Sequence, residues 1–424
     1  MVSSRRPDSV GGMKTPRIAV LAATLALAAT VFVPGSASAA PNCGAVVTTN
    51  TTVTANLTDC PGDGLIIGAH NITLNLNGRT IDGVGLGVGV RNNGFDNVTI
   101  RNGTITGFDH GVALNPGTTG NLVTALTVRD NEFTGVQLSN ADTNNRVISN
   151  TVELTSQRGI AVIGDSNGNV VRSNIVRNNA DGIYVGASLS NLVELNTVSA
   201  ASDRSIDIEG GRSNTLRQNT VTSGGDGAIA LTSTTLNVVD NNTVTASGDA
   251  GIALTTSPSN QVINNRVSGS GDAGIMLSSS NGNTVRSNNL NVTGPNAGGI
   301  ELVSSNSNTV QSNAANSQLS HGIELQNSAS NRLLSNTANS NNSSGIYVSG
   351  SAGVAANLLE ANTTSSNHGD GIHVANAGNT VRRNIARLNG GWGIYAVAGT
   401  TDGGGNRASG NAEAAQCFGV VCTA

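Results

Sequence analysis

A four-residue pattern, glycine, apolar, any residue, apolar, recurs fifteen times along most of the chain. The first copy is Gly64-Leu65-Ile66-Ile67, the last is Gly393-Ile394-Tyr395-Ala396, and successive copies are mostly 23 or 24 residues apart. A fixed interval of this kind predicts a stack of equivalent structural units. The intervening first positions, two of which have lost the glycine, are Gly87, Gly111, Gly135, Gly159, Gly182, Ser205, Ala228, Gly251, Gly274, Gly299, Gly322, Gly345 and Gly371.

A series of asparagines keeps the same interval, and in twelve of thirteen cases Val or Leu follows two residues later. Twelve of the thirteen have another asparagine five residues on, beginning at Asn150. Equivalent asparagines in stacked strands bond along the stack, so both series are interpreted as structural ladders rather than sugar ligands. The first series is Asn121, Asn145, Asn169, Asn191, Asn214, Asn237, Asn260, Asn283, Asn308, Asn331, Asn357, Asn379 and Asn406.

The length and content of the repeat predict an all-β, single-domain parallel β-solenoid. A unit of 23 residues is shorter than the helical-hairpin repeats, and it is built from Asn, Ser, Thr, Val and Gly, which helices disfavour. Period-2 alternation inside each pattern buries one side chain and exposes the next. One repeat is therefore one coil, and fifteen coils at about 4.8 Å each make a rod of roughly 70 Å.

The repeats GIALTTSPSNQVINNRV and GIMLSSSNGNTVRSNNL resemble the coil of right-handed parallel β-helix proteins of the pectin-lyase-like superfamily, including its NosD-type repeats. The segment Cys43–Gly83 resembles the capping segment of exported members. The resemblance implies residues 40–63 as N-terminal cap, 64–397 as β-helix and 398–424 as C-terminal cap. It implies no single activity, because the superfamily contains lyases, hydrolases, epimerases, tailspikes and noncatalytic proteins.

The first 39 residues have the pattern of an export signal, which predicts a secreted protein. Basic residues precede an apolar stretch at 18–33, and the small residues Ala37-Ser38-Ala39 form a cleavage site. The start, Met1 or Met13, and the route, general or twin-arginine, stay open. In an oxidising compartment the cysteines are expected to pair as Cys43–Cys60 and Cys417–Cys422. The alternative, a metal site, lacks CxxC spacing and a nearby histidine.

Charge and hydropathy exclude two classes of partner. Residues 41–424 contain 18 arginines, no lysine and 25 acidic residues, without a basic run, which argues against nucleic acid. No apolar run reaches the roughly 20 residues that span a bilayer. The sequence gives no indication of oligomeric state.

The third position of each pattern is expected to face solvent on one long sheet, because positions two and four are apolar and point inward. All three tyrosines of the chain lie on this outward row. Aromatic rings along a groove are typical of carbohydrate-binding proteins, although aromatics also simply favour strands. From the third coil onward the row is Ala113, Gln137, Ala161, Tyr184, Asp207, Ala230, Ala253, Met276, Glu301, Glu324, Tyr347, His373 and Tyr395.

The seventh coil is the first candidate site, because acidic residues occupy two successive outward positions, Asp207 and Glu209. Their Cα atoms would lie about 6.7 Å apart, within the range of separations used by inverting glycosidases. The candidate catalytic residues are Asp207, Glu209, Arg204 and Asp181, and the candidate substrate ligands beside them are Tyr184 and Asp226.

Two other interpretations of this coil stay open. Arg204 could be the base of a lyase, with Ca²⁺ held by neighbouring acids, which is the one cofactor the sequence leaves open. Alternatively, Arg158, Asp181, Arg204 and Asp226 form a purely structural ladder of alternating charge. A resemblance to polygalacturonase-type hydrolases is incomplete, because Arg204 and Gly227 replace two aspartates of their motifs.

The second candidate site is C-terminal, where Glu301 and Glu324 are expected on adjacent strands about 4.8 Å apart. This separation suits a retaining pair and places two carboxylates in mutual repulsion. Tyr347, His373 and Tyr395 follow on the same row as candidate substrate ligands.

Three functions follow from the sequence. The first is an extracellular protein that binds a carbohydrate polymer along the sheet, with cleavage by lysis or hydrolysis left open. The second is a noncatalytic surface or matrix rod. The third is NosD-like copper delivery, for which copper(I) would require Met and Cys ligands, whereas Met276 is the only methionine after residue 13.

Overall fold

The computed structural model describes residues 41–291, 293–294, 297–350 and 356–424. The expected export signal, residues 1–39, lies outside the described residues. Regular secondary structure in the described part consists of β-strands alone, and every pairing between them is parallel. None of the described residues forms a helix that is long and apolar enough to cross a membrane. The predicted all-β parallel solenoid is confirmed.

Most coils contribute one strand to each of three faces. The first face is a continuous 17-stranded sheet that contains the glycine patterns. Its strands are Ala45–Val47, Leu65–Ile67, Val88–Asn92, His110–Leu114, Thr134–Ser139, Arg158–Ile163, Asp181–Gly186, Arg204–Glu209, Gly227–Thr232, Ile252–Thr255, Ile275–Ser278, Ile300–Val303, Ile323–Gln326, Ile346–Ser349, Ile372–Val374, Ile394–Ala396 and Cys417–Phe418.

The second face begins after the first asparagine series. Two of its strands, Thr99–Thr106 and Leu122–Arg129, turn the corner and serve the third face as well. The remaining strands of the second face are Thr51–Thr52, Thr73–Asn75, Arg146–Ile148, Val170–Arg172, Leu192–Glu194, Thr215–Arg217, Val238–Asp240, Gln261–Ile263, Thr284–Arg286, Thr309–Gln311, Arg332–Leu334, Leu358–Glu360, Thr380–Arg382 and Thr401–Asp402.

The third face follows the second asparagine series and leads back to the first sheet. A single bridging residue, Thr337, links Ala314 to Thr363 where a regular strand is missing. The strands of the third face are Leu57–Cys60, Thr80–Gly83, Thr151–Glu153, Ile175–Arg177, Thr197–Ser199, Thr220–Thr222, Thr243–Thr245, Arg266–Ser268, Asn289–Asn291, Ala314–Asn316, Thr363–Ser365, Ile385–Arg387, Asn406–Ser409 and Cys422–Thr423.

The register of the first sheet follows the glycine patterns with one correction. Ile252 pairs with Ile275 and Ala253 with Met276, as equivalent positions should. The second pattern, however, begins at Gly89 rather than Gly87, because Leu65 pairs with Val90. The first register, Gly87-Val88-Gly89-Val90, has apolar residues at positions two and four, whereas the second, Gly89-Val90-Arg91-Asn92, has the buried Asn92 at position four. The Asp63 carboxylate selects the second register, since it bonds both Arg91 and the Val88 amide.

The solenoid is longer than the fifteen expected coils. Ala45–Val47, inside the expected N-terminal cap, pairs with Leu65–Ile67 as a regular strand. Cys417–Phe418, inside the expected C-terminal cap, pairs with Ile394–Tyr395. Both predicted disulfides are present, Cys43–Cys60 and Cys417–Cys422, with Cα atoms 5.4 Å and 6.1 Å apart.

The core is a column of stacked aliphatic side chains. Ile206, Ile229, Ile252 and Ile275 occupy pattern position two in successive coils, and each is 0% exposed. Position four is likewise occupied by buried aliphatic residues, and each of these is also 0% exposed: Ile208, Leu231, Leu254 and Leu277. Burying a side chain of this size stabilises the fold by about 1.5–3 kcal/mol.

Asparagine ladders close the corners, as predicted. Asn242 illustrates the arrangement, because its Oδ1 accepts from the Asn219 amide while its Nδ2 donates to Leu216 O and Asn265 Oδ1. Asn406 ends the second ladder rather than the first, since it accepts from the Asn384 amide. A third ladder, missed in the sequence because Ser, Thr, Gly and Gln interrupt it, runs through Asn341, Asn367, Asn389 and Asn411.

Candidate functional site

The outward row of the first sheet is continuous, but it is less open than expected. Tyr184 pairs with Asp207, Met276 with Glu301, and Tyr347 with His373, as the repeat predicts. Four members of the row are nevertheless buried. These are Ala113, Ala161, Asp207 and Ala230, with exposed fractions of 6%, 1%, 3% and 6%.

Asp207 is covered by its own strand. Arg204 folds back over it and donates from Nη1 to Asp207 Oδ2 at 3.0 Å. The Oδ1 atom of Asp207 is buried and has no hydrogen-bond partner among the described residues. Burial raises the pKa of Asp207 to about 6 despite the neighbouring guanidinium. The predicted outward direction is correct, but a polymer on the surface could not reach this carboxylate as it is placed.

Glu209 and Tyr184 form a more accessible part of the central cluster. The Tyr184 hydroxyl donates to Glu209 Oε2 at 2.8 Å, and the Arg158 guanidinium lies 3.8 Å from the Tyr184 ring centroid. Burial and the Glu209 carboxylate raise the pKa of Tyr184 to about 12. A cleft of about 450 Å³ opens here, lined by Arg158, Tyr184, Glu209 and small residues that include Gly186.

The predicted ladder of alternating charge is present over three members. Arg158 pairs in register with Asp181, with Nε and Oδ2 3.8 Å apart, and the backbone amide of Arg204 bonds the Asp181 carboxyl. Burial and nearby Asp203 raise the pKa of Asp181. Asp226 does not continue the ladder, because Gly227 is the residue in register with Arg204. Most charges of the central cluster are thus neutralised inside the protein.

Ser205, which replaces the glycine of the pattern, belongs to the core rather than to the site. It is 0% exposed, and its Oγ lies 2.8 Å from the position that a Cβ on Gly224 would occupy. The side chain missing at Gly224 therefore makes room for the one added at Ser205. The space at Gly224 thus explains how a side chain is accommodated at position 205, where the Ser205 Oγ is buried without a hydrogen-bond partner among the described residues.

Glu301 and Glu324 are brought together as predicted. They are paired residues on the adjacent strands Ile300–Val303 and Ile323–Gln326, and both are half-buried. Within the described parts of the chain, neither carboxyl group has a hydrogen-bond donor or a cationic partner. Burial, followed by Glu324 and Asp272, raises the pKa of Glu301 to about 7, and burial raises the pKa of Glu324.

The sequence analysis missed two acids beside this pair. Asp249 and Asp272 lie near each other on adjacent coils, and burial followed by the charge of Asp249 raises the pKa of Asp272. These two aspartates could have been identified from the sequence, because aspartate recurs every 23 residues, at Asp203, Asp226, Asp249 and Asp272. The acids near Glu301 therefore form an uncompensated group, unlike those of the central cluster.

His373 and Tyr395 stack along the row, and Tyr347 contacts His373 with the two ring planes tilted by 41°. The ring centroids of His373 and Tyr395 are 4.7 Å apart with planes 22° apart, and those of Tyr347 and His373 are 5.3 Å apart. Phe418, which the sequence analysis missed, extends the stack at 5.1 Å from Tyr395. The ring faces are thus largely occupied by each other, so ring edges and polar tips, rather than faces, remain for a ligand.

Two histidines flank Tyr347 with different hydrogen bonds. His373 Nδ1 lies 2.6 Å from Asp370 Oδ2, and the other oxygen of Asp370 accepts from the Trp392 amide at 2.6 Å. His321 stacks on Tyr347 with centroids 4.5 Å apart, and its Nδ1 accepts from the Ser344 amide at 3.2 Å. Burial lowers the pKa of His321. The Asp370–His373 contact lies two strands beyond Glu324 on the same face.

Two family models match the chain. The model of the "Right handed beta helix region" matches residues 159–315. The model of the "Periplasmic copper-binding protein (NosD)" matches residues 70–235 and 291–412, together more than half of the chain. The chain belongs to the NosD family. A search among curated proteins found no match.

Solved β-helix structures are similar to this NosD family member at low identity. The mannuronan C-5 epimerase AlgE4 A-module of Azotobacter vinelandii is 14% identical, with 78% of this chain and 91% of that one covered and a TM-score of 0.48. The DFA-IIIase of Arthrobacter chlorophenolicus A6 is 12% identical over 68% and 83%, with a TM-score of 0.43. The Dettilon tailspike protein is 14% identical over 89% and 61%, with a TM-score of 0.34. Identities this low carry no information about activity.

The side chains of this NosD family member do not provide the sulfur ligands that a copper(I) site requires. All four cysteines are in disulfides, and Met276 lies on the outward row between Ala253 and Glu301, without a second sulfur ligand. Within the described ranges, no three His, Cys, Asp or Glu side chains are grouped so that they could hold a metal ion. Copper(I) selects thioether and thiolate ligands, and the described residues offer it only one.

Proposed function

We propose that this protein binds an extended, uncharged carbohydrate polymer along the outer face of the first sheet and hydrolyses it with Glu301 and Glu324. The observation that carries the proposal is the pair itself, two half-buried carboxyl groups in register on adjacent strands, without an internal partner among the described residues. Structural acids elsewhere, such as Asp63, Glu194 and Glu360, bond arginines instead.

The unequal environments of the two carboxyl groups support distinct roles. With its pKa raised to about 7, Glu301 is protonated in a large fraction of molecules at neutral pH and can then protonate the glycosidic oxygen. Glu324, ionised, can attack the anomeric carbon to form a glycosyl-enzyme. Glu301 then removes a proton from the water that releases the product. Strands about 4.8 Å apart place the carboxyl groups near the separation of roughly 5–5.5 Å that retaining enzymes use.

The face leading to the pair suits a sugar chain. Ala230, Ala253 and Met276 occupy the row on the N-terminal side of Glu301, and they form a low apolar floor against which sugar C–H groups can pack. Thr232, Thr255 and Ser278 form a parallel hydroxyl row beside it. The nearby acids Asp249 and Asp272 disfavour an acidic polymer, which is why we propose an uncharged one.

The test is a glycan array followed by product analysis of every hit. We expect Glu324→Gln to bind the hit polymer and to lose hydrolysis by about 10³-fold or more, since the nucleophile is missing. The matched control is the pair of substitutions Asp207→Asn and Glu209→Gln, which removes the central acids and should leave turnover intact. Loss of turnover in the control alone would move the site to the seventh coil.

The noncatalytic rod is the second candidate, favoured by the self-stacked rings and by the paired charges of the central cluster. A folded protein that binds no polymer on the array would support the rod and reject the hydrolase.

A further inference from the structure

The Asp370–His373 contact lies outside the proposed acid pair, yet it lies on the same face. His373 is on the outward row at the strand Ile372–Val374, and its side chain is 28% exposed. The Asp370 carboxylate accepts from two groups, the Trp392 amide and His373 Nδ1, both at 2.6 Å. This double attachment fixes the carboxylate, which in turn fixes the plane of the imidazole.

The hydrogen bonds assign the tautomer of His373. A carboxylate only accepts, so Nδ1 carries the hydrogen in the neutral ring and Nε2 is left with its lone pair. Nε2 has no partner among the residues that the structure describes, and it is not a buried unpaired atom. His321 has the reverse arrangement, because its Nδ1 accepts from a backbone amide and its Nε2 carries the hydrogen.

The neighbours keep the ring in one orientation. Tyr347 and Tyr395 lie on either side of His373 with centroids 5.3 Å and 4.7 Å away. The imidazole therefore cannot rotate out of the stack without losing contacts with both rings, and Nε2 is the polar atom that it offers to a ligand.

We propose that Asp370 is a positioning residue that holds His373 as the Nδ1–H tautomer, so that Nε2 accepts a hydrogen bond from a hydroxyl group of the bound carbohydrate. The proposal rests on the proposed function and adds a specificity to it. The sugar unit located two strands beyond Glu324 must carry a free hydroxyl group, and a unit with that hydroxyl group alkylated is rejected because the donor is gone.

The decisive variant is Asp370→Asn. The asparagine oxygen can still accept from the Trp392 amide, but its NH₂ group would donate to Nδ1 of His373. The imidazole hydrogen would then move to Nε2, and the ring would offer a donor where it had offered an acceptor. The same logic explains how an Asp→Asn change in a Ser-His-Asp triad preserves geometry while reversing the tautomer.

The first measurement uses the protein without added carbohydrate. In protein labelled with ¹⁵N at histidine, long-range ¹H–¹⁵N spectra assign the hydrogen of His373 to Nδ1 or Nε2, with His373→Gln used to identify its signals. We expect Nδ1–H in the wild type and Nε2–H in Asp370→Asn, with His321 unchanged as Nε2–H. An Nε2–H tautomer at His373 in the wild type would overturn the proposal.

The second measurement is affinity for the neutral oligosaccharides that bind on the glycan array, compared with their O-methylated forms. We expect O-methylation to weaken binding to the wild type by roughly tenfold or more, and Asp370→Asn to remove this discrimination, because an Nε2–H group can donate to the oxygen of a hydroxyl or of a methoxy group alike. In the His373→Gln background, Asp370→Asn should change neither affinity, because its effect passes through the imidazole. A reversed tautomer with unchanged discrimination would rule out the hydroxyl contact. If no glycan binds the wild type, the proposed function and this contact both fail, while an Nδ1–H tautomer still establishes the positioning role.

Discussion

Asp207 and Glu301 are equivalent positions in their coils, and they differ in what surrounds them. Both face outward, and burial raises the pKa of each. Asp207 is bonded by an arginine three residues earlier in its own strand, whereas Glu301 faces another carboxyl group across the sheet. The repeat could predict the direction of both side chains, but not that Arg204 would fold over Asp207. Whether an outward acid is accessible depends on such side-chain conformations, which a repeat does not encode.

The raised pKa of Glu301 makes stability depend on pH. Between pH 4.5, its ordinary pKa, and about 7, the unfolded chain releases this proton while the folded chain retains it. Stability from this group is therefore complete below pH 4.5 and is lost as the pH rises towards 7. We expect Glu301→Gln to melt with less pH dependence, and at pH 8 to be more stable than the wild type by about 2–4 °C. Circular dichroism melts at pH 4.5 and 8 test this, and parallel curves for the two proteins would contradict it.

The complementarity of Ser205 and Gly224 gives a second prediction. A Cβ at position 224 would lie 2.8 Å from Ser205 Oγ and 2.8 Å from the Gly227 carbonyl oxygen. Gly224→Ala should therefore destabilise the protein by about 1–3 kcal/mol through overpacking. Adding Ser205→Gly should restore part of the loss, because only the contact with the carbonyl oxygen remains. Chemical denaturation of both single variants and the double variant measures the coupling, and strictly additive effects would mean that the two positions do not share this space.

At the scale of single strands, truncating a ladder asparagine is expected to reduce stability, because its side chain bonds the backbone of the neighbouring strand. Asn242→Ala would leave the buried Asn219 amide without its acceptor and would remove one of the hydrogen bonds to the Leu216 carbonyl. We expect a loss of about 1–3 kcal/mol for the unsatisfied amide. Thr220→Ala, on the exposed side of the neighbouring strand Thr220–Thr222, is the matched control and should change stability little. Equal losses in the two variants would show that the ladder bonds contribute nothing specific.

The strands also show why part of the arrangement could be predicted from the sequence. Where only one glycine can start the pattern, as at Gly251 and Gly274, the register predicted from the sequence agrees with the observed strand pairing. The reason is that the apolar residues at positions two and four must both lie in the core. At Gly87 and Gly89 the apolar pattern predicts the wrong register, since the observed one has Asn92 at position four and is accompanied by a contact with another coil, Asp63 with Arg91. The tilted contact between the rings of Tyr347 and His373 likewise depends on side-chain torsions that residue identity leaves free.

The whole molecule behaves as a stack in which each coil contacts its neighbours. Removing residues 251–273 joins Ala250 to Gly274 and leaves every remaining strand in register, since Ile229 would then pair with Ile275 as it now does with Ile252. We expect the shortened protein to fold, with a rod shorter by about 4.8 Å. Circular dichroism and small-angle scattering measure this. Removing half a coil instead, residues 251–262, deletes the strand Ile252–Thr255 and most of Gln261–Ile263 but keeps Arg266–Ser268, so this coil cannot close. That variant should not fold, and a folded product there would contradict the nearest-neighbour view.

The single tryptophan of the chain, Trp392, lies against Tyr395 and Phe418 with ring centroids 6.5 Å and 5.8 Å away. Its fluorescence is thus a reporter of the C-terminal coils alone, and it is silent about the middle of the rod. If a denaturant peels coils from that end, the emission will change before the circular dichroism signal does. A coincident transition by both probes would mean that all the coils come apart together.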